Sequence, residues 1–229
     1  MLLAEELTLL ALDPETGRLR GREARVDHAL AGALLLDLAA AGHLRLEPGD
    51  VLVLGDTSPK EPLLGSGLSL LTGQFPVGVC DAIRHLALTL RETVLDSMAE
   101  RGMLRREVHR TLVLKILVRW YAASPDTSAV VREDLQQIFT TAGATAPEPG
   151  AELEPRAAGL VTVLDGADLL ELVSPARPDA AQVRSWCATP RAGGGDELRC
   201  AVHTALCSLA DSAGAAGVKP GPEQRTASV

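Results

Sequence analysis

One segment near the C-terminal end of the chain carries residue types that bind transition metals. Cys200, His203 and Cys207 are spaced by three and four residues, which places them on one face of a helix. A helix rises about 1.5 Å per residue, so the α-carbons of the two cysteines lie too far apart to share one tetrahedral ion with the histidine. We therefore predict that the cysteines are buried small apolar side chains and that there is no metal site.

The residue patterns of common catalytic sites are absent from the sequence. It contains no HExxH, GxSxG, GxGxxG or phosphate-loop motif. The segment Gly65-Ser66-Gly67 lacks the Lys-Ser/Thr that completes a phosphate loop, and it predicts a simple turn. Two carboxylate pairs, Asp165 with Asp168 and Glu133 with Asp134, have no His, Tyr or Lys nearby in sequence, so we expect them to face solvent. We predict no catalytic residues, no cofactor and no enzymatic activity.

Basic residues are concentrated in one part of an acidic chain. The 229 residues have a formal net charge of −8 at pH 7, so the protein is not expected to bind nucleic acid. A positive segment within such a chain is attracted to anionic lipid, by about 1 kcal/mol for each basic residue near the membrane surface. The segment 84–119 holds four acidic residues against eight basic ones, which are Arg84, Arg91, Arg101, Arg105, Arg106, Arg110, Lys115 and Arg119.

Two aromatic residues follow this basic segment directly. Trp and Tyr side chains are enriched at membrane interfaces, because each ring has an apolar body and a polar tip. We predict that Arg110, Lys115, Arg119, Trp120 and Tyr121 contact a membrane, with both rings at the tip of a cationic finger. In the alternative interpretation, Trp120 covers the core and the arginines are solvated.

The sequence also predicts where the protein is found. Its longest apolar stretches, such as residues 29–36, are far shorter than the roughly 20 residues that span a bilayer. Glu5 and Glu6 interrupt a start that lacks the basic region of a secretory signal, and the four cysteines form no CxxC pair. We expect a cytoplasmic protein that lies at most on a membrane surface.

The hydrophobic pattern predicts a mainly α-helical fold with a helical bundle core. The segment 26–41 is apolar nearly all round, which is typical of a central helix. The segment 81–101 is expected to form one long amphipathic helix that ends at Gly102. Helices are predicted over residues 1–12, 26–41, 62–71, 81–101, 130–141, 156–172, 179–187 and 196–211.

Short strands and a projecting hairpin complete the predicted fold. Residues 44–47 and 51–54 are expected to form two short strands joined by a turn. The β-branched and aromatic segment 105–122 predicts a β-hairpin that turns near Lys115. We expect a linker over 146–155. The predicted domain covers residues 1–212, followed by a disordered tail over 213–229.

Several segments, through their order and spacing, resemble the Golgi phosphoprotein 3 family. The similarity is carried by residues 3–13 (LAEELTLLALD), 30–39 (LAGALLLDLA), 56–64 (DTSPKEPLL) and 100–104 (ERGML), and it continues more faintly to about residue 212. The composition resembles that of bacterial members. The resemblance implies a helical domain whose hairpin serves membrane contact and self-association. It also implies a peripheral membrane protein similar to adaptors that bind phosphatidylinositol 4-phosphate and retain glycosyltransferases.

The resemblance further suggests a headgroup site. Arg91 matches one arginine of the family's pocket, whereas Leu88 and Ala31 stand where the family has two others, and the position of the pocket Trp falls near Arg22. Arg84 lies seven residues before Arg91, on the same face of the expected long helix. We therefore predict that Arg22, Arg84 and Arg91 bind the headgroup. In the alternative interpretation, Arg91 forms a surface ion pair with a neighbouring acid.

Two functions remain open at this point. The first is a peripheral protein that binds anionic phospholipid. The second is a scaffold that binds no lipid and that self-associates, or binds a client protein, through the apolar hairpin segment 112–118, because exposed strand edges pair readily.

Overall fold

The computed structural model describes residues 1–47, 50–54, 59–72, 77–110, 116–144, 154–173 and 195–215. Within these residues the fold is mainly α-helical with two small antiparallel sheets, which confirms the predicted fold class. A short 3₁₀ helix, Leu170–Leu172, lies between the last two α-helices. In chain order the elements are α1 (Leu3–Ala11), α2 (Glu23–Ala40), β1 (Leu44–Glu47), β2 (Asp50–Val53), α3 (Pro62–Leu71), β3 (Val77–Gly78), α4 (Val79–Ala87), α5 (Leu90–Glu100), β4 (Leu104–Arg110), β5 (Ile116–Ala122), α6 (Pro125–Ala144), α7 (Pro155–Gly166) and α8 (Gly195–Ala215).

Helix α2 lies at the centre of the bundle because it is apolar on nearly every side. Its residues 29–38 are all buried, and it packs against α1, α4, α7 and α8. Gly32 allows α8 to approach closely, since a Cβ at this position would lie 3.1 Å from side-chain carbons of Leu206 and Val202. The predicted central helix is confirmed, and Gly42, which follows it, has a positive φ of 76°.

The segment predicted as one long helix, 81–101, forms two helices that are separated at Leu88 and Thr89. Its apolar residues recur at intervals of four from Leu86 to Met98. Four residues exceed one turn of 3.6 residues, so this row would drift around a straight helix and away from the core. The break lets both helices bury their apolar faces, whereas Leu88 is 78% exposed. The prediction of a continuous helix is wrong.

The strands are paired between close neighbours in sequence. β1 and β2 form the predicted antiparallel pair, and the two-residue β3, which is too short to be predicted, extends that sheet beside β2. β4 and β5 pair antiparallel from Leu104 with Ala122 to Arg110 with Ile116, which confirms the predicted hairpin. Its predicted turn at Lys115 lies outside the described residues.

The C-terminal helices differ from the prediction at their ends. The predicted helix 156–172 ends as α7 at Gly166, because Asp168 has a positive φ of 56° and the short 3₁₀ helix follows. Helix α8 extends to Ala215, beyond the predicted start of the tail. The predicted linker up to residue 153, the predicted helix 179–187 and the tail from residue 216 lie outside the described residues.

The turn after α1 supports the hairpin. The Asp13 carboxylate accepts a hydrogen bond from the backbone N–H of Thr16 at 2.7 Å, and Gly17 follows with a positive φ of 61°. The Gly17 carbonyl then accepts a hydrogen bond from the backbone N–H of Trp120 at 2.9 Å. A Cβ at Gly17 would lie 2.8 Å from the ring of Tyr121, so this contact with β5 requires glycine.

Asp37, in the buried part of α2, holds the N-terminal end of α1. Its carboxylate accepts hydrogen bonds from the backbone N–H groups of Leu3 at 2.9 Å and Ala4 at 3.1 Å, which a helix N-terminus leaves without intrahelical partners. Burial raises the pKa of Asp37 from 3.8 to about 7, more than these hydrogen bonds lower it. The negative charges of Glu5 and Glu6 raise this pKa further.

Those two glutamates are also buried, and each is paired. Glu5 forms an ion pair with Arg101, which follows α5. Glu6 forms an ion pair with Arg156 of α7 at 2.5 Å. The polar side chains of α1 therefore connect it to α5 and α7, in addition to its apolar packing.

We expect Gly17→Ala to destabilise the protein more than Gly42→Ala. Both glycines have a positive φ, which costs an alanine about 1–2 kcal/mol. Only Gly17→Ala adds a steric clash, because nothing lies within 4 Å of a Cβ at Gly42. Denaturant titration measures both free energies of unfolding. Equal losses in the two variants would indicate that the hairpin does not depend on this turn.

We expect Asp37→Asn to alter how stability depends on pH. A carboxyl whose pKa is raised on folding contributes most below its unfolded pKa of 3.8, and that contribution is lost as the pH rises through about 7. Over this range the free energy of unfolding of the wild-type protein should fall relative to the variant, by up to about 4 kcal/mol. Denaturant titrations at several pH values test this, and parallel profiles would contradict it.

Candidate functional site

The residues predicted to bind a headgroup lie on one surface, formed by the start of α2 and by α4 and α5. Burial lowers the pKa of His28 in α2, and the nearby charge of Arg84 lowers it further, against the opposing effect of Asp27. Arg91 of α5 contacts Asp27 directly. Arg22 immediately precedes α2. The structure therefore brings Arg22, Arg84 and Arg91 to the same region, although not along one helix.

Each of the three guanidinium nitrogens of Arg91 donates to the first turns of α2. Its Nε donates to the Asp27 carboxylate at 2.6 Å, its Nη2 donates to the backbone carbonyl of Glu23 at 3.0 Å, and its Nη1 donates to the Glu23 carboxylate. Burial opposes the charge of Arg91, but these bonds raise its pKa overall. Arg91 thus forms ion pairs, as in the alternative interpretation, but they are partly buried and join it to acids of another helix. Its binding to a headgroup stays a prediction.

The two remaining headgroup candidates are exposed. Arg84 forms an ion pair with Asp81 at 3.1 Å, and both side chains are more than half exposed. The Arg22 side chain has no hydrogen-bond or ion-pair partner among the residues that the structure describes. The three arginines share this surface with the carboxylates of Glu23, Asp27 and Asp81, so the surface has no net positive charge.

Cavities in the described part of the chain also lie near charged residues. One of about 340 Å³ adjoins Arg84 and is lined by apolar residues that include Leu71 and Leu88. Another, of about 830 Å³, lies at the C-terminal end of α2, away from the predicted site residues. The arginines in its lining each have an acidic partner, and these pairs are Arg45 with Glu47, Arg156 with Glu6 and Arg199 with Asp196.

The predicted aromatic membrane contacts lie near the base of the hairpin. Tyr121 and Trp120 belong to the second and third of its seven residue pairs, counted from the body of the protein, so the prediction that they lie at the tip is wrong. Arg106 lies over the Trp120 ring at 5.5 Å and Arg105 over the Tyr121 ring at 5.9 Å. Trp120 is partly buried against the core.

The basic residues of the hairpin are neutralised less completely than Arg84 and Arg91. Arg105 forms an ion pair with Glu107 at 3.1 Å. Among the described residues, Arg106 and Arg119 have no carboxylate within 4.0 Å. The side chain of Arg110, at the end of β4, and all of Lys115 lie outside the described part of the chain. The membrane contacts of these residues stay predictions.

Two contacts, one just before the hairpin and one within it, show where the hairpin lies relative to α1. Arg101, just before β4, pairs with Glu5 near the start of α1. Trp120 contacts Gly17, which lies beyond the end of α1. The hairpin therefore begins near the start of α1 and contacts, at its third residue pair, the loop that leads into α2. This is also the end of α2 that carries the ion pairs of Arg91.

The helix face with two cysteines is occupied by a contact between a histidine and an aspartate. His203 Nε2 lies 2.9 Å from the Asp165 carboxylate, and Cys207 Sγ lies 3.9 Å from the imidazole nitrogens. Cys200 and Cys207 are partly exposed, so the prediction that they are buried is wrong. No group of three metal-binding side chains occurs in the described ranges.

The carboxylates expected to face solvent near α7 are engaged instead. Asp165 pairs with His203, and Asp168 pairs with Arg25. Sequence reasoning also missed Glu23 and Asp27, the partners of Arg91. The signal available for these two acids was their spacing of four residues, which places them on one face at the start of a helix.

Comparison with known proteins identifies one family. The family described as Golgi phosphoprotein 3 matches residues 3–206. No curated protein matches the chain. Among the described residues, no helix combines the length and apolar character needed to span a membrane.

We expect Arg91→Ala to reduce stability by about 1–3 kcal/mol, because it leaves the partly buried Asp27 carboxylate without its partner. Arg84→Ala is the matched control and should cost less than about 1 kcal/mol, since its ion pair is exposed. Adding Asp27→Asn to Arg91→Ala should recover part of the loss. Equal effects of the two arginine variants, measured by denaturant titration, would refute this role of Arg91.

Proposed function

The chain belongs to the Golgi phosphoprotein 3 family, and from this premise we propose that it is a peripheral membrane protein that binds anionic phospholipid through its β-hairpin. The family is not a known enzyme family. We propose a non-enzymatic role at the cytoplasmic surface of a membrane.

This proposal is supported by which basic residues have acidic partners and which do not. Arg84 and Arg91 are paired with carboxylates of the same chain. By contrast, the hairpin segment 104–122 contains five basic residues and one acidic residue, Glu107. This excess of positive charge on a protein of net charge −8 is attracted and oriented by an anionic surface.

The aromatic side chains at the hairpin base add a second contribution. Trp120 and Tyr121 are both partly exposed. Each is covered on one face by an arginine, so lipid phosphate can interact with the guanidinium while the ring contacts the interfacial region. The hairpin contacts the loop that leads into α2, and Arg22 at the end of this loop supplies a further exposed cation.

We propose attraction to anionic lipid in general rather than selection of phosphatidylinositol 4-phosphate. A selective phosphate site needs several guanidinium donors that converge on one anion. Here the donors of Arg91 are used by Asp27 and Glu23. At the positions where the family has two further arginines, the chain has Leu88 and Ala31.

A second candidate is a scaffold that self-associates, or binds a client protein, through the hairpin. It is favoured by one observation, which is the exposure of the outer edge of β4. Among the described residues this sheet contains only β4 and β5, so no strand pairs with the outer edge of β4, and Val108 on this strand is 53% exposed. An unpaired strand edge can pair with a second copy of the chain.

Replacing Arg105→Gln and Arg106→Gln together is expected to weaken binding to vesicles that contain anionic phospholipid about tenfold or more, because each basic residue contributes about 1 kcal/mol near such a surface. Co-sedimentation at low ionic strength measures the partition coefficient. The difference from the wild-type protein should shrink as salt is added, since salt screens exposed charges.

Arg45→Gln is the matched control, because Arg45 is exposed on β1 and lies outside the hairpin. It should bind these vesicles within about twofold of the wild-type protein. Salt-independent binding, or no binding by the wild-type protein, would contradict lipid attraction. In the latter case, light scattering of Val108→Lys tests the scaffold. Loss of an oligomer in that variant would support self-association.

A further inference from the structure

Two arginines that are not among the predicted headgroup residues meet at the C-terminal end of α1. Arg20, in the loop before α2, donates from Nη2 to the backbone carbonyl of Leu10 at 3.0 Å. Arg132, on α6, donates from Nη2 to the same carbonyl at 3.3 Å. Helix α1 packs against α6, so the tertiary fold brings together two guanidinium groups that are 112 residues apart in sequence.

These two arginines differ from three other partly buried arginines, each of which has an acidic partner. Arg25 pairs with Asp168, Arg91 with Asp27 and Arg156 with Glu6. By contrast, in the described ranges no carboxylate oxygen lies within 4.0 Å of the guanidinium nitrogens of Arg20 or Arg132.

The two positive charges repel each other. The pKa of Arg132 is lowered, first by burial and then by the charge of Arg20. The charge of Arg20 does act on one acid, Asp13, whose pKa it helps to lower. The hydrogen bonds that Asp13 accepts from Thr16 and Glu15 lower this pKa more than Arg20 does. The Asp13 carboxylate thus stabilises the turn after α1 and does not pair with the arginines.

Capping of α1 does not account for both arginines. A helix C-terminus has a partial negative charge of about half an electron, and a single cation there is sufficient to stabilise it. Each guanidinium has five N–H donors, and the shared carbonyl uses one donor from each. The Nε of Arg20 is buried and has no acceptor among the described residues. Buried donors without acceptors are rare in folded proteins.

We propose that Arg20 and Arg132 form a binding site for an oxyanion of the phosphate class. Two guanidinium groups on one carbonyl provide the converging charge-assisted donors that such an anion requires. The anion would balance the mutual repulsion of the two cations. This inference does not rest on the proposed function, because it involves neither the hairpin side chains nor Arg91.

The position of the site allows two sources for the anion. Gly17, three residues before Arg20, accepts the hydrogen bond from Trp120, so the site adjoins the base of the hairpin. A phospholipid headgroup at a membrane surface and a free phosphate ion in solution both present the required oxyanion.

Thermal unfolding of the full chain in sodium phosphate, against sodium chloride at equal ionic strength, tests the site without any membrane. Phosphate should raise the unfolding temperature of the wild-type protein in a saturable manner. Arg20→Gln and Arg132→Gln should each weaken the apparent phosphate affinity about tenfold or more. Arg18→Gln is the control, because it removes the same charge from an exposed residue of the same loop, and its phosphate affinity should change less than twofold.

Arg132→Lys covers the case in which a glutamine variant fails to fold, because it keeps the charge and one donor to Leu10. It should retain phosphate binding with reduced affinity. The absence of a phosphate-specific effect on the wild-type protein would overturn the proposal, as would equal losses of affinity in Arg18→Gln and Arg132→Gln. Stabilisation by an acidic peptide but not by phosphate would also overturn it, in favour of a protein partner.

Vesicles of phosphatidylcholine with and without phosphatidic acid separate the two sources. If the anion is a lipid headgroup, Arg132→Gln should lose affinity for the phosphatidic acid vesicles as well as for phosphate. If the anion is free phosphate, Arg132→Gln should lose the thermal stabilisation by phosphate but keep its affinity for the phosphatidic acid vesicles. Phosphate binding without any vesicle binding would refute the proposed lipid function and leave this site supported.

Discussion

A charged side chain that leaves water needs a partner of opposite charge, because removing an ion from water costs several kcal/mol. Glu5 and Glu6 meet this requirement through Arg101 and Arg156, and Arg91 meets it through the acids at the start of α2. These pairs also connect α1 to α5 and α7, and α2 to α5. The same requirement therefore shapes the bundle and decides which cations are left for an external ligand.

The cations left over are not those that the family resemblance suggested. The surface with Arg22, Arg84 and Arg91 carries equal numbers of acids, and Arg91 serves as a link between helices. The hairpin keeps most of its positive charge, with Arg105 and Arg106 lying over aromatic rings. The proposed attraction to anionic surfaces therefore rests on the hairpin rather than on this surface. Arg20 and Arg132, at the end of α1, form a separate cationic pair.

Much of the architecture follows from local sequence pattern. A segment that is apolar on all sides, such as 26–41, must lie where every side is covered, and this places α2 at the centre. A β-branched and aromatic segment with interrupting arginines forms a hairpin at 104–122. The excess of basic residues over 84–119 is a property of composition and holds in any fold. The order and spacing of several short motifs also sufficed to identify the family, which matches residues 3–206.

Tertiary packing decided which charges are paired. Because the helix is broken at Leu88, Arg84 and Arg91 are not aligned along one helix as expected. Arg91 instead pairs with Asp27, which lies 64 residues earlier in the sequence. The imidazole of His203 likewise contacts Asp165, which lies on a different helix. The convergence of Arg20 and Arg132 on one carbonyl depends on the packing of α6 against α1. The sequence alone determined most of the helices, the hairpin and the excess charge, because these depend on neighbouring residues. The pairing of ions depends on side chains that approach only when helices pack, so only the tertiary structure could decide it.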